Sequence, residues 1–183
     1  MLSRLNSLVR SALSTRNSVP IKLTDLRETD SSGDPGNVAA IGGVLAADTT
    51  PILRGDANES LEVHWAAGNS DIVAFHAELP ENLDDTGDVL LELDVRTDNT
   101  GGGGIEAASF SVLSSWNGAA QVTDTATDST PATTSHTITA TIAAADVPSS
   151  ARRATIQLVP GTHANDPIQL LGIRLRFRGK LLS

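Results

Sequence analysis

From about residue 51 onward, apolar side chains recur at every second position, most cleanly where Val89, Leu91, Leu93 and Val95 alternate with Leu90, Glu92, Asp94 and Arg96. A two-residue period puts one face in a core and the other in water, which only an extended strand does. The same period carries Leu61, Val63 and Trp65, then Val73, Phe75, Ala77 and Leu79. It returns at His136, Ile138, Ala140 and Ile142, and again at Ala154, Ile156 and Leu158. Ile105 to Trp116 reads as a less regular strand that stops at Asn117-Gly118, a hairpin signal. Seven to nine short strands with turns between them predict an all-β fold, a two-sheet β-sandwich of jelly-roll type.

In the last strand the apolar parity changes, from Ile168 and Leu170 to Leu171, Ile173, Leu175 and Phe177, with Gly172 at the change. One extra residue switches the face that side chains reach, so the spacing predicts a β-bulge there. Downstream, Arg174, Arg176 and Arg178 fall on the opposite face, placed to pair across strands with Glu62, Glu92 or Asp94.

Ahead of the strands the period changes. Leu2, Leu5, Val9 and Ala12, flanked by Leu8 and Leu13, recur at helical spacing, with Ser3, Arg4, Asn6, Ser7 and Arg10 elsewhere, so residues 2 to 16 predict one amphipathic helix. The Arg and Ser content without acids also has the look of a mitochondrial transit peptide, and a membrane-surface helix is a third option that lacks large aromatic anchors. A lone helix of about 14 residues is marginal in water, so the expectation is a helix packed on a partner surface. Ser18 to Gly43 reads as a connecting arm: Val19-Pro20 opens an extended piece with Ile21, Leu23 and Leu26, and Ser31 to Gly36 form a turn cluster. The expected division is therefore a helix and docking arm over 1–43 and a sandwich over 44–183. Residues 123 to 135, rich in Thr, Ser, Asp, Ala and Pro, read as a surface loop.

Composition sharpens this. Aromatic residues make up 3% of the chain, so the core must be built chiefly from Val, Leu, Ile and Ala. There is no cysteine, which excludes disulfides, thiolate metal sites and Cys nucleophiles. No apolar run approaches the roughly 20 residues that cross a bilayer as a helix, so no membrane partner is expected. The net charge of −9 is uneven: Arg4, Arg10, Arg16 and Lys22 face no acid in the first 22 residues, the last stretch is basic, and the middle is strongly acidic. An acidic body disfavours nucleic acid as the main partner, while basic ends suit acidic protein.

No catalytic constellation is legible. His64, His76, His136 and His163 show no ligand spacing, and ordinary structural positions such as a solvated strand face explain them better than a metal centre does. Asp84-Asp85-Thr86-Gly87-Asp88 lacks the spaced acids and closing Glu of a calcium loop and reads as a turn into a strand. Gly101 to Gly104 has neither the Lys nor the following helix of a phosphate loop, so it is a turn or mobile loop. The serines offer no Gly-x-Ser-x-Gly elbow. Trp65 shares parity with Leu61 and Val63, which predicts core; Trp116, beside the Asn117-Gly118 turn, is the candidate exposed ring for stacking on a sugar.

Residues 37 to 96 carry a resemblance, in Asn37-Val38-Ala39-Ala40-Ile41-Gly42-Gly43-Val44-Leu45-Ala46, Asp48-Thr49-Thr50-Pro51-Ile52 and Val63-His64-Trp65-Ala66-Ala67-Gly68-Asn69-Ser70-Asp71. With Ala145-Asp146-Val147-Pro148 and Val159-Pro160-Gly161-Thr162-His163, about half the chain resembles structural proteins of tailed bacteriophages. The resemblance implies a virion component, a capsid decoration or cement protein on the outer surface of the shell, and supplies no active-site residues. On that reading Leu2, Arg4, Leu5, Val9, Arg10, Ala12, Leu13, Ile21 and Leu23 dock on the major capsid protein or other virion subunits. A homo-oligomer, with a trimer favoured, is expected, with no enzyme activity and no cofactor. The alternative is a carbohydrate- or receptor-binding module of a phage tail or fibre, which needs an exposed aromatic groove.

Overall fold

The computed structural model describes residues 16–33, 43–45, 51–55 and 61–179. Eleven strands build two antiparallel sheets: β1 (Arg16–Ile21), β2 (Arg27–Thr29), β3 (Ile52–Arg54), β4 (Glu62–Trp65), β5 (Ile72–Glu78), β6 (Val89–Thr97), β7 (Ser109–Trp116), β8 (Val122–Thr127), β9 (His136–Ile142), β10 (Arg153–Pro160) and β11 (Ile168–Arg178). One sheet runs β3-β4-β11-β6-β9 with β1 also on β11; the other runs β2-β5-β10-β7-β8. The all-β, two-sheet sandwich read from the periodicity is the observed architecture, of jelly-roll type.

The alternation decides the packing. Val89, Leu91, Leu93 and Val95 of β6 are fully buried, and from the facing sheet Phe110, Val112, Ile156 and Leu158 meet them in one core. Asn117 and Gly118 both hold positive φ, 50° and 80°, the backbone of a two-residue turn matched to strand twist, and β7 and β8 pair antiparallel beyond it.

The parity change in the last strand is a bulge. Leu170 pairs with Val95 but Gly172 with Asp94, so Leu171 is the extra residue in β11. The bulge also marks where the other edge of β11 changes partner: β4 lies along Ile168–Leu170 and β1 along Ile173–Arg178. Beyond it the outward arginines find the predicted acids. Arg174 bonds Glu92 at 3.3 Å and Asp94 at 3.1 Å, and Arg176 also pairs with Glu92. Glu62 is held instead by Arg54 at 2.6 Å and Arg96 at 3.0 Å. Arg178 does not join this ladder; it borders a groove of about 290 Å³ with Thr86, Gly87 and Leu90.

Four expectations need correction. The boundary between residues 43 and 44 cuts through the sandwich, because β1 and β2 are hydrogen-bonded members of its sheets. Ile21 and Leu23, expected to dock on a partner, pack into the chain's own core, since β1 pairs with β11 and turns Val19 and Ile21 inward. Arg16 lies in a strand, not at the end of a helix; Leu2, Arg4, Leu5, Val9, Arg10, Ala12 and Leu13 lie outside the described residues, and no helix longer than a 3-10 turn occurs among those described. Lastly, Val122–Thr127 is a strand where a loop was expected. Thr123, Thr125 and Thr127 face water, Ala126 faces the core, and β-branched threonine favours the pleated backbone as much as valine does.

Candidate functional site

Every aromatic ring of the chain is spent on the core. The two tryptophans and three phenylalanines, with no tyrosine beside them, are Trp65, Phe75, Phe110, Trp116 and Phe177, and all are at most 3% exposed. Trp116 is therefore not a stacking platform. It shares parity with Phe110 and Val112 on the inner face of β7, is 1% exposed, and its indole N–H donates to Ser114 Oγ at 3.2 Å. Standing next to a turn suggested exposure, but strand parity outranked the turn. Trp65 is in the core as predicted, edge-on to Phe110 with ring centroids 5.5 Å apart, its N–H donating to Asp71 O at 2.9 Å.

With no exposed ring, any ligand must be met by polar groups. The outer face of the first sheet offers a row of them. From Ile52 of β3, the polar side chains His64, Gln169 and Arg96 follow side by side across β4, β11 and β6, with Gln169 itself only 1% exposed. At about 4.8 Å per strand the row spans about 14 Å. Arg96 donates to Gln169, whose amide donates to Asp98 at 2.6 Å. His64 Nδ1 is shielded from solvent and has no hydrogen-bond partner among the described residues. Burial first, and then the neighbouring Arg54 guanidinium, hold the His64 ring below the ordinary histidine range, so it is neutral at pH 7.

A second polar assembly ties the loops at one end of the sandwich. Asp166 is 1% exposed, and its carboxylate accepts the N–H groups of Thr100 at 2.9 Å, Gly101 at 3.0 Å and Glu106 at 3.0 Å. Glu106 answers by accepting from the backbone N–H of Asn165 at 2.8 Å and of Asp166 at 3.0 Å, and from the Asn165 amide at 2.8 Å. The two loops thus hold each other by their backbones. The backbone N–H of Gly101 lowers the Asp166 carboxyl most, and that of Asn165 does the same for Glu106. The start of the glycine run is consequently anchored: a side chain at Gly101 would come within 2.8 Å of the Asn165 carbonyl oxygen. Beside this clasp the buried His163 ring stands between Asn69 O at 2.7 Å and Asp166 O at 3.1 Å. A groove of about 410 Å³ opens next to it, lined by Gly68, Asn69, Ser70, Gly161, Thr162 and His163. Nothing in the local spacing of Asp166 or Glu106 signalled the clasp, because its partners are some 60 residues apart.

The four histidines do not converge. His76 contacts Thr155 at 2.9 Å, His136 contacts Asp128 at 2.8 Å, and no group of three or more His, Asp or Glu is arranged to hold a metal ion among the described residues. In the Asp84–Asp88 stretch, Asp84 accepts from Thr86 N–H at 3.1 Å and Asp88 from Ala144 N–H at 3.0 Å, which are turn and loop bonds.

The class these features define is a jelly-roll β-sandwich with polar outer faces. No family model and no curated protein matches the chain. Among solved structures it is similar to the xylan-binding module CBM15, at 12% identity and a TM-score of 0.56, covering 91% of this chain and 100% of that one. It is also similar to the CBM22-1–GH10 modules of a Clostridium thermocellum endo-1,4-beta-D-xylanase 10B complexed with xylohexaose, at 12% identity and a TM-score of 0.49, covering 93% of this chain and 29% of that one. The CBM36-1 domain of a multidomain xylanase from the hindgut metagenome of Trinervitermes trinervoides follows at 12% identity, a TM-score of 0.46, and coverage of 92% and 100%. The first of these likenesses makes the shared fold plain.

Proposed function

We propose that the chain is a non-catalytic module that works by holding a partner surface, a carbohydrate or receptor bound at the tail or fibre of a phage particle. The observation that supports this most is the full-length likeness in fold to a xylan-binding module, on a sheet whose outer face leaves His64 and Arg96 partly exposed on either side of the buried Gln169. Hydrogen bonds carry the recognition, because the aromatic rings are all in the core. His64 and Arg96 keep part of their surface exposed, and a sugar hydroxyl would meet the exposed part of the imidazole, since Nδ1 itself is shielded. Glycan-array screening followed by calorimetry is the test. His64→Ala should weaken binding by up to about tenfold, the worth of one hydrogen bond, with the fold intact. Trp116→Phe should leave affinity unchanged. Absence of binding to any glycan on the array defeats the reading.

A second reading, a decoration or cement protein on the outer surface of the capsid, is favoured by the resemblance over residues 37 to 96 and by the basic first 22 residues on a chain of net charge −9. Here residues 1–15, ahead of β1, dock on the major capsid protein. Removing residues 1–15 should leave the sandwich folded and abolish binding to particles. Retained binding at equal affinity, or purified virions lacking the protein by mass spectrometry, overturns it.

A further inference from the structure

A sheet edge carries unpaired N–H and C=O groups and invites another strand, so proteins blunt their edges by shortness, charge, proline or inward-pointing charges. Four edges of this sandwich follow that practice. β2 and β3 are three residues each and carry Arg27 and Glu28, or Arg54. β1 contains Pro20. β8 turns Asp124 inward, in register with the buried Val112. β9 departs from it. Its seven residues, His136-Thr137-Ile138-Thr139-Ala140-Thr141-Ile142, include no Asp, Glu, Lys, Arg or Pro and no bulge. β6 pairs along one side of it; on the other, β8 of the facing sheet runs close by, but no strand among the described residues is hydrogen-bonded to it.

We propose that the free edge of β9 is a self-association site, at which β9 of a second copy of this chain pairs antiparallel about a two-fold axis through Thr139. The strand is its own complement in that register. Thr137 falls opposite the partner's Thr141, Thr139 opposite its own copy, and Ile138 opposite the partner's Ala140. The exposed threonines therefore line up on the outer face, and Ile138 and Ala140, 5% and 0% exposed, continue the core face from one sandwich into the next. Charge selects the same occupant. A chain of net charge −9 repels its copies over most of its surface, but this strand brings no formal charge. The adjacent acids of β6, Glu92 and Asp94, are already paired with Arg174 and Arg176. Such a contact is two-fold, in place of the three-fold expected from the sequence, and joins the two first sheets into one. It stands independently of either functional reading.

The chain has no cysteine, so single cysteines report the register directly. Sedimentation of the full chain should show a concentration-dependent species of twice the chain mass. Thr139→Lys, which sets like charges face to face at an exposed position, should weaken that association by about tenfold or more while circular dichroism and melting stay those of the parent. Under mild oxidant, Thr139→Cys should cross-link to itself, whereas Thr137→Cys should cross-link to Thr141→Cys in a mixture and poorly to itself. A chain that stays monomeric at all concentrations, an oligomer indifferent to Thr139→Lys, or cross-links that ignore this register overturns the proposal. So does a monomer in which the outward-pointing β9 amides, the alternate ones not bonded to β6, resist hydrogen exchange, since another segment of the same chain would then occupy the edge.

Discussion

Trp65→Ala is expected to destabilise the sandwich by about 3 to 5 kcal/mol, the range for emptying a large aromatic site in a packed core. Trp65 sits in β4 of one sheet and meets Phe110 of β7 from the other, so its ring bridges the two layers. It is fully buried, and its N–H is bonded to Asp71 O at 2.9 Å. Truncation removes the inter-sheet contact, opens a cavity and leaves a carbonyl without its donor. Since a domain is stable by only about 5 to 15 kcal/mol, the variant should melt roughly 6 to 20 °C lower, or fail to accumulate as a folded protein. Trp65→Phe keeps most of the volume and should lose much less. Chemical denaturation of both variants measures this, and a loss under about 1 kcal/mol for alanine would be incompatible with Trp65 spanning the sheets.

Asp166→Asn should release the loop that begins at Gly101 without unfolding the sheets. The carboxylate accepts three backbone N–H groups on two oxygens; an amide presents one acceptor oxygen and turns an N–H toward the remaining donors. Amides of Thr100, Gly101 and Glu106 should exchange much faster in the variant, while those of β6 and β11 stay protected. The same clasp predicts acid sensitivity of definite sign. Asp166 and Glu106 both have folded-state values below their ordinary 3.8 and 4.5. A depressed carboxyl contributes stability that is fully present above the ordinary value and is lost as pH falls through the depressed one. Loop exchange in the parent should therefore accelerate only below the usual carboxylate range. Unchanged exchange in the variant, or loop release already near neutral pH, would contradict the clasp.

Much of the fold was legible because strand periodicity is a local property. The alternation in β6 named its buried residues one by one, Asn117-Gly118 named the hairpin, and the parity change named the bulge at Gly172. Parity put the arginines after the bulge on the correct face, and two of the three acids offered to them, Glu92 and Asp94, are partners of Arg174 and Arg176, whereas Glu62 belongs to Arg54 and Arg96, because parity fixes the face and not the neighbouring strand. β1, β2 and β8 were not read as strands, because short or threonine-rich segments have little apolar signal of their own and are held by the neighbours they pair with. The candidate site was much less legible. Trp116 was placed by its distance from a turn, where the parity shared with Phe110 and Val112 should have prevailed.

The amino-acid sequence alone determined which side chains of each long strand enter the core, because a pleated backbone sends them alternately to opposite faces whatever lies beyond. Only the tertiary structure decided which edges stay open, that every aromatic ring is buried, and that Asp166 and Glu106 bind loops some 60 residues away. Those features depend on which strand lies beside which, and strand order is set by contacts between distant segments that no local pattern records.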